Sequence, residues 1–259
     1  MEPEEIQEIF QKIREKQPLI HMIPNAVSAT LCADGLSALG ARPLMAVAPQ
    51  EMQEIVKQTD GIVINLGQPT TEKREAARLV LETVAQEEKP VVLDPVGCGA
   101  SVFRLKMVQE LLEIPWKGII KGNQSEVYSI QQNLLTQEGI DSREDRTLSA
   151  MTKEGRVLLV SGVADRILWK GGSKTLQKKE QRVYNIVGTG CLLGAITGAC
   201  YSITKEPKQA AEAASVGMAY ALEQADKAVG YGQAKVVLLD ALTQLEEVRF
   251  LNWMRGKEQ

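Results

Sequence analysis

Gly61-Ile62-Val63-Ile64-Asn65-Leu66 is followed by a stretch with helical patterning, Thr70–Gln86, and then by Pro90-Val91-Val92-Leu93. Neither apolar run is relieved by alternating polar residues, which is the pattern of strands buried on both faces, and a helix between such strands makes the unit parallel. The unit repeats outward in both directions. Leu19–Ile23, Pro43–Val47, Gly118–Ile120 and Arg156–Val160 read as further strands, and Asn25–Leu39, Gln50–Gln58, Ser101–Leu112 and Asn123–Gln131 as helices, several opening on Asn, Ser or Thr. Repeated βα of this kind predicts a three-layer α/β sandwich, a mostly parallel central sheet with helices on both faces. After Ser161-Gly162 the pattern changes, and Asp165–Lys170, Thr175–Gln177 and Arg182–Val187 read as antiparallel hairpin strands, with the basic Lys174–Lys179 as a solvated hairpin. From Gly188 onward the chain reads as helices over Gly188–Ser202, Glu206–Val229 and Ala234–Trp253. No repeat or linker splits it, so residues 1–259 are expected to form one domain.

Composition excludes several classes of function. A net charge of −3 and only three Phe leave neither the electrostatic footprint nor the stacking platform of a nucleic-acid binder. No apolar run approaches the roughly 20 residues of a membrane span. The acidic Met1-Glu2-Pro3-Glu4-Glu5 is the reverse of a signal peptide, so a cytoplasmic protein is expected. Cys32, Cys98, Cys191 and Cys200 form no CxxC pair, and His21 is the single histidine, too few for a zinc site held by several. Catalysis is left to carboxylates, cysteine, lysine and backbone dipoles.

In an open parallel sheet, ligands bind beyond the carboxyl ends of the strands. Those ends carry Pro24-Asn25-Ala26, Met45, Asn65-Leu66-Gly67, Asp94-Pro95-Val96-Gly97-Cys98-Gly99, Lys121-Gly122-Asn123-Gln124-Ser125-Glu126, Ser161-Gly162 and Val187-Gly188-Thr189-Gly190-Cys191. The last is a glycine-rich turn opening a helix, so it presents uncovered backbone N–H groups and the positive helix end to an anion, beside a cysteine. Asp94, Glu126 and that anion seat are together what Mg²⁺-assisted phosphoryl transfer needs. Each residue has a plainer alternative. Asp94 before a proline suits a turn, Asn123-x-x-Glu126 has the spacing of a capping box, Met45 suits core filling, His21 a strand end and Cys98 a turn.

Leu36-Ser37-Ala38-Leu39-Gly40-Ala41-Arg42-Pro43-Leu44-Met45, Leu93–Gly99, Lys121–Glu126 and Gly188–Leu193 resemble, in order, the motifs of the hydroxyethylthiazole kinases, ribokinase-like enzymes of thiamine salvage. The resemblance runs from about Leu19 to Val229. It implies ATP- and Mg²⁺-dependent phosphorylation of the hydroxyl of 4-methyl-5-(2-hydroxyethyl)thiazole. Cys191 stands where most ribokinase-like kinases carry Asp and this family carries Cys, so by resemblance it faces the substrate hydroxyl. Asp94 and Glu126 would serve Mg²⁺, Lys121, Asn123 and Ser161 would contact ATP, and Asn25, Met45, Gly67 and Gly188 would line the thiazole pocket. A homotrimer with sites at the subunit boundaries is also implied. The chain departs from the family pattern at Pro24 and Ala26, at Lys121 for Arg, Ser161 for Thr and Val187 for Thr, and in a short stretch over Asp141–Lys153. The alternatives that remain are a related kinase for another small hydroxyalkyl heterocycle and a non-catalytic relative that binds heterocycle or nucleotide.

Overall fold

The apolar runs lie where their composition sends them, in the interior of one sheet. The computed structural model describes residues 1–136, 148, 155–178 and 186–256. Its strands are β1 (Leu19–Ile23), β2 (Arg42–Met45), β3 (Gly61–Asn65), β4 (Val91–Asp94), β5 (Gly118–Asn123), β6 (Arg156–Ser161), β7 (Ala164–Trp169) and β8 (Gly172–Gln177), in the order β2-β1-β3-β4-β5-β6-β7-β8. Strands β1 to β6 run parallel, and β7 and β8 return antiparallel. Every residue of β3 and β4 is buried, as strands covered on both faces require. The edges are more polar. β2 carries Arg42 and Pro43, and a proline without an N–H is tolerated at an edge, while β8 alternates exposed and half-buried residues.

The helices are α1 (Pro3–Lys16), α2 (Ala29–Leu39), α3 (Met52–Gln58), α4 (Thr71–Glu87), α5 (Val102–Glu113), α6 (Gln124–Gln132), α7 (Thr189–Thr204), α8 (Pro207–Ala225), α9 (Tyr231–Leu242) and α10 (Val248–Arg255). They divide the core in two. Met22, Val63 and Val92 pack with α1, α2 and α7 to α10, whereas Ile62, Ile64, Val91 and Leu93 pack with α3 to α6. Neighbouring residues of one strand therefore face opposite layers, which is the three-layer sandwich of the sequence reading.

Several boundaries differ from that reading, each for a physical reason. α1 has no counterpart among the expected helices, although Ile6, Ile9, Phe10 and Ile13 fall on one helical face and are buried. The acidic start of the chain is the first turn of this helix, with Glu2 and Glu5 forming a capping box. The helix expected from Asn25 begins at Ala29, because Asn25 Oδ1 accepts the Val27 amide at 3.1 Å and closes a turn instead. The helix expected over residues 234–253 is two helices, α9 and α10. Lys121 lies within β5 rather than beyond it. The basic hairpin is not wholly solvated, since Lys178 is buried against Asp165 at 2.6 Å and Lys174 reaches Glu212 at 2.6 Å. Most of the strand expected over residues 182–187, and of the short stretch 141–153, lies outside the described residues.

Candidate active site

The parallel direction of β1 to β6 brings their carboxyl ends to one edge of the sheet, and the start of α7 lies over it. Register sets who stands beside whom: Asn65 is level with Asp94, Asn123 with Ser161, and Met22 with Met45. Asp94 is fully buried at the end of β4 and its Oδ2 accepts a hydrogen bond from Asn65 Nδ2 at 3.0 Å. Lys121 Nζ, also buried, is 3.6 Å from Asp94 Oδ1, an oxygen with no hydrogen-bond partner among the described residues. This pair lies directly beneath the glycine turn: a Cβ built on Gly190 would stand 3.3 Å from Lys121 Nζ, and one on Gly194 3.4 Å from Asp94 Oδ2.

Gly188 caps α7 with φ +95°, a conformation that side-chain-bearing residues rarely adopt, and a Cβ built on it would stand 2.8 Å from Ser28 Cβ. The helix ladder begins with Leu192 N–H donating to Gly188 O at 2.8 Å, so the amides of Gly190 and Cys191 have no acceptor within the helix. Cys191, in the first turn, is buried. Burial and then the Asp94 charge raise its thiol pKa, outweighing Ser28, Lys121 and Asn65, which lower it. It stays a thiol at neutral pH. Cys32 is pushed up to about 12 by burial, so no thiolate is ready there either. Burial also raises the Asp94 carboxyl, opposed by Lys121 and reinforced by Glu126. Burial works against the Lys121 ammonium, but Asp94 and Glu126 outweigh it and hold its pKa above the usual lysine value.

Glu126 answers the question its spacing left open. Asn123 Oδ1 accepts the Glu126 amide at 2.8 Å, Glu126 Oε2 accepts the Asn123 amide at 2.8 Å, and Glu126 Oε1 accepts the Gly97 amide at 2.7 Å. The capping box is therefore present, and it ties the start of α6 to the turn after β4. Among the described residues no group of three or more His, Cys, Asp and Glu could hold a metal. Magnesium asks less of a protein, since phosphates and water fill most of its shell and one or two carboxylates suffice. The open Oδ1 of Asp94, with Glu126 near enough to act on its charge, fits that need.

Two loops meet near the Cys191 thiol, which interacts with Ser28 and Asn65. Gly67 N–H donates to Asn65 Oδ1 at 3.0 Å, and a Cβ at Gly67 would collide with the Asn25 amide, so the close approach of these loops requires glycine. Met45 ends the edge strand, half-buried. Ser161 Oγ donates to Gly122 O at 3.4 Å, and the following turn is held by Gly162 N–H donating to Asp165 Oδ1 at 3.2 Å. The sequence reading assigned no role to Ser28, Asn65, Lys73 or Asp165. Asn65 and Asp165 were visible as polar residues at strand ends, whereas nothing local marks Ser28 or Lys73.

The sequence profile of the hydroxyethylthiazole kinase family matches residues 10–248. The chain belongs to that family. It is 34% identical to the hydroxyethylthiazole kinase of Exiguobacterium sp. over 93% of this chain and 94% of that one, and 34% identical to that of Pyrococcus abyssi over 93% of each. The solved structure of the hydroxyethylthiazole kinase protein from Pyrococcus horikoshii OT3 superposes with a TM-score of 0.83 at 29% identity, covering 97% of this chain and 96% of that one. An ADP complex of Bacillus subtilis pyridoxal kinase, at 15% identity and a TM-score of 0.61, covers 80% of this chain and 92% of its own, a likeness of fold. This hydroxyethylthiazole kinase family member thus has the ribokinase-like α/β fold that the family resemblance implies.

Proposed function

We propose that the whole chain, residues 1–259, acts as one kinase domain that transfers the γ-phosphoryl group of ATP to the hydroxyl of 4-methyl-5-(2-hydroxyethyl)thiazole, with Mg²⁺, in the cytoplasm and as a homotrimer. The observation that carries this reading is the position of Cys191. In the first turn of α7, its thiol is close enough to Asp94 and Lys121 to feel their charges and within hydrogen-bond reach of Ser28 and Asn65, the residue that accepts the Gly67 amide. The amides, the positive helix end and the Lys121 ammonium add partial positive charge at one place, where the transferring phosphoryl group gathers negative charge. The protonated thiol then positions the acceptor hydroxyl, which suffices for a reaction that depends chiefly on alignment and charge. Asp94 and Glu126 would hold Mg²⁺, which when bound neutralises phosphate oxygens. Lys121, Asn123 and Ser161 form the ATP side, while Asn25, Met45, Gly67 and Gly188 form the thiazole side.

Pro24 and Ala26 favour a second reading, a kinase for another small hydroxyalkyl heterocycle, because they alter the loop that carries Asn25. Purified protein incubated with Mg²⁺, ATP and a panel of heterocyclic alcohols distinguishes the two. Formation of the phosphorylated thiazole with the highest kcat/KM of the panel is expected. Preference for another alcohol supports the second reading, and binding of the thiazole without any product would leave only a binding protein. Among the described residues no helix is long and apolar enough to cross a membrane.

A further inference from the structure

Lys73 is an expensive residue in an unexpected place. It sits in the first turn of α4, where a cation opposes the helix dipole, and its side chain is buried with the residue only 7% exposed. Among the described residues no carboxylate lies within ion-pair distance of it. Its ammonium instead donates to two backbone carbonyls from different loops, Pro24 O at 2.7 Å and Gly67 O at 2.6 Å. The backbone of Lys73 is itself anchored, since its amide donates to the Thr70 side chain that caps α4, at 3.0 Å. A second bond joins the same loops: the Ala26 amide donates to Gln68 Oε1 at 3.1 Å, with Gln68 held at φ +53°. Both carbonyls belong to segments that carry expected thiazole-pocket residues, Asn25 next to Pro24 and Gly67 itself.

We propose that Lys73 is the positioning residue of the acceptor pocket: its ammonium bolts the loop between β1 and α2 to the loop between β3 and α4, and so holds Asn25 and Gly67 in register as the pocket wall. Both carbonyls lie on the acceptor side of the proposed site, so the effect of Lys73 falls on acceptor binding. Proline at position 24 suits this arrangement, because a rigid residue presents its carbonyl to Lys73 without needing a hydrogen bond for an N–H of its own. This inference rests on the assignment of that pocket to the thiazole under the proposed function.

The test is the Lys73→Met variant of the full chain, which keeps length and apolar contact but removes the donors. Its KM for the thiazole should rise about tenfold or more, with kcat changed less than about threefold and KM for ATP unchanged, the signature of lost acceptor binding. Hydrogen exchange should quicken in residues 24–28 and 66–70 and nowhere else. If Lys73→Met does not fold, Gln68→Ala, at an exposed position, removes the second bond and should raise the thiazole KM alone by a smaller factor. Unchanged thiazole KM in a folded variant, or equal rises in both KM values, overturns the positioning role. A wild type that leaves the thiazole unphosphorylated overturns the assignment of the pocket and with it the acceptor role, whereas the exchange measurement still separately decides whether Lys73 bolts the two loops.

Discussion

Cys191 matters to this site as a thiol. Burial and the Asp94 charge keep it protonated, so under the proposed function it would orient the acceptor hydroxyl and would not begin as a base. Under that role Cys191→Ala should lower kcat by about 10²-fold, the scale on which a misplaced reactant loses rate, with KM for ATP little changed. Wild-type kcat in that variant would reduce the residue to packing. Cys191→Asp should retain activity, with its pH–kcat profile extending to lower pH, because even beside Asp94 a carboxylate ionises below a buried thiol. Glu126 is held differently, by the amides of Asn123 and Gly97 at 2.8 and 2.7 Å. Glutamine offers one carbonyl for two donors, so Glu126→Gln should cost about 1–3 kcal/mol of stability by urea unfolding while also raising the Mg²⁺ needed for half-maximal activity. An unchanged urea midpoint would show that the two amides are satisfied some other way.

Elements in this fold are joined by side chains that reach across to leftover backbone groups. Arg156, at the start of β6, donates to Leu112 O at 2.8 Å, Ile114 O at 2.6 Å and Trp116 O at 3.1 Å, and its guanidinium lies 4.4 Å from the centre of the Trp116 ring. These carbonyls lie at the end of α5 and in the turn after it, where Ile114 O also accepts the Trp116 amide at 2.9 Å. Arg156→Met should destabilise the protein by about 3 kcal/mol or more, since three charge-assisted hydrogen bonds between β6 and the end of α5 are lost at once. Both KM values should stay at wild-type levels, because the α5–β6 junction lies at the opposite edge of the sheet from the site. A thermal midpoint equal to wild type would show that water replaces the guanidinium at no cost. α1 shows the same economy at the other end of the chain, where Gln7 Nε2 donates to Glu246 O at 3.1 Å and Arg14 reaches Ala38 O at 2.8 Å.

At the scale of the whole molecule, one buried ring couples stability to pH. His21 is fully buried in β1, with Nε2 3.1 Å from Ala46 O and Nδ1 without a partner among the described residues. A carbonyl only accepts, so Nε2 carries the proton of the neutral ring. Burial pushes the pKa below the ordinary histidine value, partly offset by the bond to Ala46. The stability this contributes is full above the unfolded pKa of about 6.5 and drains as pH falls toward the folded value, by at most about 1.4 kcal/mol per pH unit. Urea unfolding between pH 7 and 5.5 should show that loss in wild type and not in His21→Gln; parallel curves would rule His21 out. The proposed homotrimer is equally open to measurement, by light scattering, as three times the 28.4 kDa of one chain, and a monomer at micromolar concentration would count against it. What the sequence determined by itself was everything decided within a few residues: apolar runs that must be covered on both faces, the glycine turn that opens α7, and the Asn123–Glu126 spacing of a cap. Tertiary structure alone decided that Lys121 turns to Asp94, that Lys178 is buried on Asp165, and that Lys73 reaches Pro24, because a long charged side chain pairs with whatever the strand order places beside it. Periodicity and caps act between positions up to four apart, whereas desolvation of a buried charge is offset only by partners that the folded chain assembles from distant segments.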